Sequence, residues 1–139
     1  MAHLHRSVAA LRISGDDLLP EEVSKLLGAT PTLARTKGEE IVYASGRTRI
    51  AKIGQWHIEA TDAEPENLDA QVKEILSQLT GDLAVWSVLS KRFDIDLFCG
   101  WFMQSGNEGL TISPATLLAL GERGIELSVD IYAPTCDDA

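Results

Sequence analysis

Five cations, Arg35, Lys37, Arg47, Arg49 and Lys52, fall between positions 35 and 52, opposed there only by Glu39 and Glu40. Cations at that density, with the backbone N–H groups around Gly38, are suited to holding a carboxylate or a phosphate, and Trp56 follows closely enough to supply an aromatic wall. The ordinary alternative is a solvated hairpin whose cations pair with an acidic surface. Lys37-Gly38-Glu39 is not a phosphate loop, because it lacks the glycine spacing and the Lys-Ser/Thr ending that such a loop needs. His57 and Glu59 resemble an acid/base pair, but alternation on a strand sets both opposite Trp56, and acid–base work also requires a pocket and a displaced pKa. Asp94 and Asp96 share a strand face, as paired carboxylates at a metal or a glycosidic bond would. Hard metals usually need more oxygen ligands than two, and no further acidic cluster adjoins them in sequence. Cys99 alternates with large apolar residues and reads as a packed thiol. No serine lies in a nucleophile elbow, and Trp86 and Trp101 read as core.

The chain that must position these groups has 139 residues, with 45% hydrophobic and 24% charged residues. That length fits one domain, residues 1–139, with an ordered core over about 7–133 and short polar termini. The composition is that of a globular protein. A formal charge of −9 argues against general nucleic-acid binding, which needs a positive field. Outside the 35–52 segment the imbalance is sharper, 7 of the 12 basic residues against 19 of the 21 acidic ones. No apolar run is long enough to cross a bilayer, and the start Met1-Ala2-His3-Leu4-His5-Arg6 lacks the order of a secretory signal, which points to the cytoplasm. Cys99, Cys136, His3, His5 and His57 have no metal-ligand spacing. No metal or cofactor is expected.

Two segments share a phrase: Leu19-Pro20-Glu21-Glu22-Val23 to Gly28, and Ser113-Pro114-Ala115-Thr116-Leu117 to Gly121. Proline at a first helical position loses no hydrogen bond, and glycine beyond the last turn accepts a left-handed backbone, so each segment predicts a short helix. Leu68, Val72, Ile75, Leu76 and Leu79 predict a third, ending before Gly81. Residues 7–14, 41–44, 48–53, 56–60, 83–90, 93–103 and 125–131 predict strands, with Ser45-Gly46 as the turn of a hairpin and 29–40 as a long loop. The resulting fold class is α+β: a mainly antiparallel sheet with three helices, in a ferredoxin-like βαββαβ order from Trp56 onward, preceded by an extra βα unit and the hairpin.

Ser14-Gly-Asp-Asp-Leu, Pro20-Glu-Glu-Val, Leu27-Gly, Pro31-Thr32, Lys37-Gly38-Glu39, Trp56, Gly109-Leu-x-Ile-Ser-Pro and Asp130-Ile-Tyr132 together resemble a bacterial family, domain of unknown function 4279, from about Val8 to Tyr132. The resemblance implies no substrate, cofactor or catalytic residue.

Small size, acidity and the lack of a catalytic constellation favour a non-catalytic protein-binding module with a basic partner, of which a toxin-neutralising immunity protein is one kind. The alternative is an anion or small-molecule binder, or a weak enzyme, built on Arg35, Lys37, Gly38, Arg47, Arg49, Lys52 and Trp56. A homodimer that pairs edge strands is a third reading.

Overall fold

In a computed structural model that describes residues 2–134, the chain runs β1 (Ala2–His3), β2 (Arg6–Gly15), α1 (Pro20–Leu27), β3 (Leu33–Arg35), β4 (Glu40–Val42), β5 (Thr48–Ile50), β6 (Gly54–Glu59), α2 (Leu68–Leu76), α3 (Leu83–Arg92), β7 (Asp94–Phe102), β8 (Glu108–Gly109), α4 (Pro114–Glu122) and β9 (Glu126–Tyr132). Five strands form one sheet in the order β3-β6-β2-β7-β9. All neighbours are antiparallel except β7 and β9, which run parallel. The hairpin β4–β5 and the pair β1–β8 stand as two small separate sheets.

Alternation divides the large sheet into two faces. Ser7, Ala9, Leu11 and Ile13 of β2, Trp56 and Ile58 of β6, and Ile95, Leu97 and Cys99 of β7 are buried. Against them pack Val23 and Leu27 of α1, Leu68, Val72 and Ile75 of α2, Trp86 and Leu89 of α3 and Leu120 of α4. The helices therefore cover one face, and the other carries the polar residues of the same strands. Gln71 of α2 is buried in this layer. Its amide donates to the carbonyls of Ser7 (2.9 Å) and Thr61 (3.0 Å) and accepts from the Ser7 hydroxyl (2.8 Å). A buried amide is tolerated when its donors and acceptor are satisfied in this way, and these bonds fix α2 to the central strand.

Five expectations need correction. Residues 83–90 are helix, not strand, so the described residues hold four helices rather than three. The apolar composition of this segment suits either state, but Asp82 accepts from the Ala84 N–H (3.0 Å) as an N-cap, and Trp86, Leu89 and Phe93 bury one side at helical spacing. With α2 and α3 both lying between β6 and β7, the ferredoxin-like order does not form; the sheet is mixed. The 29–40 loop contains β3, whose Leu33–Arg35 pair with His57–Gln55. The N-terminal residues, expected to lie outside an ordered core beginning at about residue 7, form β1 on β8, and the Glu108 carboxylate accepts from the N–H groups of His5, Gln104 and Ser105. Finally, α4 continues through Gly121 and is stopped by Gly124 at φ 70°, the role Gly28 has after α1 at φ 75°. Cys136 lies outside the described residues.

The Gln71 bonds yield a measurable expectation. Gln71→Ala removes three hydrogen bonds and leaves the buried Ser7 hydroxyl without an acceptor for its proton, while the Ser7 carbonyl keeps the Ala63 N–H (3.0 Å), and should lower unfolding stability in urea by about 1–3 kcal/mol. Gln78→Ala, at an exposed position of the turn that follows the same helix, should stay within about 0.5 kcal/mol of the parent.

Candidate functional site

On the face without helices, cross-strand pairing sets His57, Arg12, Asp96 and Glu126 in one row across β6, β2, β7 and β9. The adjacent row holds Gln55, Ser14 and Asp94. Together with Ile95 these residues line a concavity of about 330 Å3. Four strands contribute, and each does so because alternation sends its apolar side chains to the helices and its polar ones here.

Arg12 organises the site. Its guanidinium donates twice to Asp96, Nε at 2.9 Å and Nη2 at 2.6 Å, and lies over the Phe98 ring at 4.3 Å from the centroid. A fork of this kind holds a carboxylate in plane and leaves few free orientations. The hydrogen bonds that Arg12 donates to Asp96 raise its pKa above its already high value, more than burial lowers it. Asp94 and Glu126, on either side of Asp96, make no ion pair among the described residues. The local excess is therefore anionic. His57 is half-buried; burial lowers its pKa, the Arg12 charge lowers it further, and Asp96 and Glu59 offset this only in part. Its imidazole is neutral near pH 7. Beneath the site, burial chiefly, with a smaller contribution from Asp96, pushes the Cys99 thiol up to about 12, which keeps it protonated and unreactive. Among the described residues no group of three His, Cys, Asp or Glu side chains is placed to hold a metal ion.

The residues singled out as an anion site are placed differently. Arg35 lies on β3 with Nε 3.7 Å from Glu39, and Lys37 reaches Asp16 at 3.4 Å. The Gly38 N–H donates to the Ala51 carbonyl (2.9 Å) and is not free to hold an anion. Arg47 sits exposed where β4 turns into β5, while Arg49 and Lys52 line a recess of about 230 Å3 with Ile41, Ala51, Ile53 and Gln55. Trp56 is 0% exposed under the helices, its indole N–H donating to the Ser24 hydroxyl (2.9 Å). Of that set, Arg49 and Lys52 share a concave surface. Conversely, Arg12, Ser14, Gln55 and Glu126 carried no sequence signal of a site. The open spacing Arg12-x-Ser14 and Asp94-x-Asp96 shows which residues share a face, but not that β2 and β7 are neighbours.

The His57 shift fixes a pH dependence. Its folded pKa lies below the unfolded value of about 6.5, so the stabilisation it represents is complete above that pH and is lost as pH falls through the folded value. His57→Gln should therefore lose less stability than the parent between about pH 7 and pH 5 in denaturant titrations. In the folded protein, Arg12→Gln should move the His57 midpoint upward, read from the imidazole proton shifts by NMR.

No curated protein and no solved structure is significantly similar to the chain, and no helix among the described residues is long and apolar enough to cross a membrane. A family model spans residues 3–134, nearly the whole chain and all the strands that build the open face, so the protein belongs to the family described as a domain of unknown function (DUF4279).

Proposed function

We propose that the protein is a non-catalytic binding module that takes cationic side chains of a basic protein partner on the open face of its sheet. The observation that supports this is the concavity around Arg12–Asp96, where the one central cation is already neutralised and the Asp94 and Glu126 carboxylates flank it without ion-pair partners among the described residues. A lysine or arginine entering there meets two exposed, unneutralised carboxylates converging on one concavity, and can make charge-assisted hydrogen bonds to both. The chain charge of −9 adds long-range attraction that speeds encounter with a basic surface. An immunity-type role, neutralising a basic toxin, fits this chemistry. The rows contain no activated nucleophile, and the neutral His57 faces Arg12 rather than a group whose proton it would move.

A second reading, an anion binder, is favoured by one observation: Arg49 and Lys52 share a recess and make no ion pair among the described residues.

NMR titration separates the two. At low ionic strength an oligo-lysine or oligo-arginine peptide should shift the amides of Ser14, Asp94, Asp96 and Glu126, and the shifts should fall at least about tenfold in apparent affinity in the Asp94→Asn, Glu126→Gln double variant. Shifts scattered evenly over the acidic surface, or shifts at Arg49 and Lys52 with inorganic phosphate and none with the cationic peptides, would overturn the first reading.

A further inference from the structure

The large sheet ends in two very different edges. At one, β3 is three residues long and is preceded by Pro31. At the other, β9 holds seven residues in unbroken register with β7, with no proline, lysine or bulge, and its outer side pairs with no strand among the described residues. Long edges of this kind are templates for pairing, and the charged side chains of this one, Glu126 and Asp130, both lie on the open face.

We infer that the chain forms a two-fold dimer in which β9 pairs antiparallel with β9 of a second copy, centred on Val129. The backbone sets the parity. Because the Tyr132 carbonyl accepts from the Met103 N–H (3.0 Å) on the β7 side, the backbone groups of Leu127, Val129 and Ile131 point to the free edge. Centring on Val129 sets Val129 against Val129 and Leu127 against Ile131, so that all six of these N–H and C=O groups per chain find partners. The side chains choose this register over its neighbours. On the open face it sets Glu126 beside the partner's Tyr132 and Ser128 beside the partner's Asp130, with no two carboxylates opposed. Centring on Ser128 would set Glu126 against Asp130, and centring on Asp130 would set that residue against itself; like charges directly opposite are destabilising.

The helix side fits the same occupant. Ile131, on the face where Leu127 and Val129 pack against the core, is 63% exposed. α4 lies over β9 and meets α2 through Asp69, whose carboxylate accepts from the Ser113 N–H (3.1 Å) and the Thr116 hydroxyl (2.7 Å). Helical spacing turns Leu117, 52% exposed, to the flank away from α2, which is the flank above the free edge. A second copy would cover Ile131 and Leu117 together. The proposal does not depend on a basic partner, since it rests on the edge rather than the open face.

Sedimentation velocity on the full chain should give twice the monomer mass at high protein concentration, and raised salt should strengthen the dimer by screening two anionic copies. Binding of a basic peptide would weaken under the same change, which distinguishes failure of the one from failure of the other. Ile131→Lys and Leu117→Glu, with unchanged far-ultraviolet circular dichroism, should each weaken the dimer by about tenfold or more. In a Cys99→Ala, Cys136→Ser background, which removes the thiol paired with position 129 across β7 and β9, Val129→Cys should form a disulfide-linked dimer on oxidation, whereas Ser128→Cys, opposite Asp130 instead of itself, should not. A monomer at every concentration and salt, a dimer indifferent to both surface variants, or cross-linking through Ser128→Cys and not Val129→Cys would overturn the inference.

Discussion

The strict alternation of β2 is the constraint on which both halves of the molecule depend. This strand lies at the centre of the sheet and pairs along most of its length with β6 on one side and β7 on the other. Its odd-numbered residues from Ser7 to Ile13 form the floor on which the helices rest, and its even-numbered residues include Arg6 and Arg12 on the other face. A slip of one residue would drive Arg12 into the core and expel Leu11, an exchange no rearrangement of neighbours could offset. The buried Gln71–Ser7 bonds oppose such a slip, since a one-step shift would move the Ser7 hydroxyl away from its amide partner. Core and open face are thus fixed by one register.

That linkage explains why the open face keeps its charges ordered. Arg12 and Asp96 are only partly exposed, but a pair of this kind contributes about 0–1 kcal/mol to stability. The larger consequence is geometric. Arg12 is held between Asp96 and the Phe98 ring, which prevents it from reaching across to Asp94 or Glu126 and leaves those carboxylates facing solvent. Further along the same face Arg6 lies over Phe102, itself stacked on Tyr132 at 4.7 Å. Each arginine of β2 is thus matched to an aromatic ring on β7, and the acidic groups are concentrated between them and the β9 edge.

Much of this was legible in the amino-acid order, and the exceptions share a cause. Local signals located α1 by Pro20 and Gly28, α2 by its apolar stripe, and the burial of Trp56 opposite His57 and Glu59 by alternation. The segment 83–90 misled because Val and Trp favour strands by composition; the Asp82 cap was a local helix-start signal that was passed over, while the burial of Trp86 and Leu89 depends on tertiary packing. The cluster at Arg12 was illegible for a different reason. Asp94 and Asp96 stood out as a pair, but Glu126 is thirty positions beyond Asp96 in sequence and meets it only because β7 and β9 are parallel neighbours joined by the α4 crossover. Spacing reports faces; it does not report strand order. The basic 35–52 segment had the opposite fate, since proximity in sequence was dispersed by folding, with Arg35 and Lys37 turned to Glu39 and Asp16 and the hairpin cations left on a separate small sheet.

Sheet geometry also decides how an edge dimer and an acidic face would combine. A two-fold axis that continues a sheet through antiparallel edges runs normal to the sheet, so both open faces point the same way. The five-stranded sheet becomes one of twice that width, with β9 and its symmetry mate at the middle. Between the two Arg12 rows lie five strand spacings, about 24 Å, with both copies of Glu126 and Asp130 in the interval. The acidic region then becomes a continuous band rather than two patches, and its centre gains the partner subunit's Tyr132 beside Glu126. A basic partner long enough to span that interval could engage both recesses at once, and the second contact would form at the high effective concentration that linkage gives. The acidic charge that opposes association of two copies is, in the same geometry, what makes the combined surface selective for an extended cationic ligand, so the two tendencies are balanced by ionic strength rather than by any change in the fold.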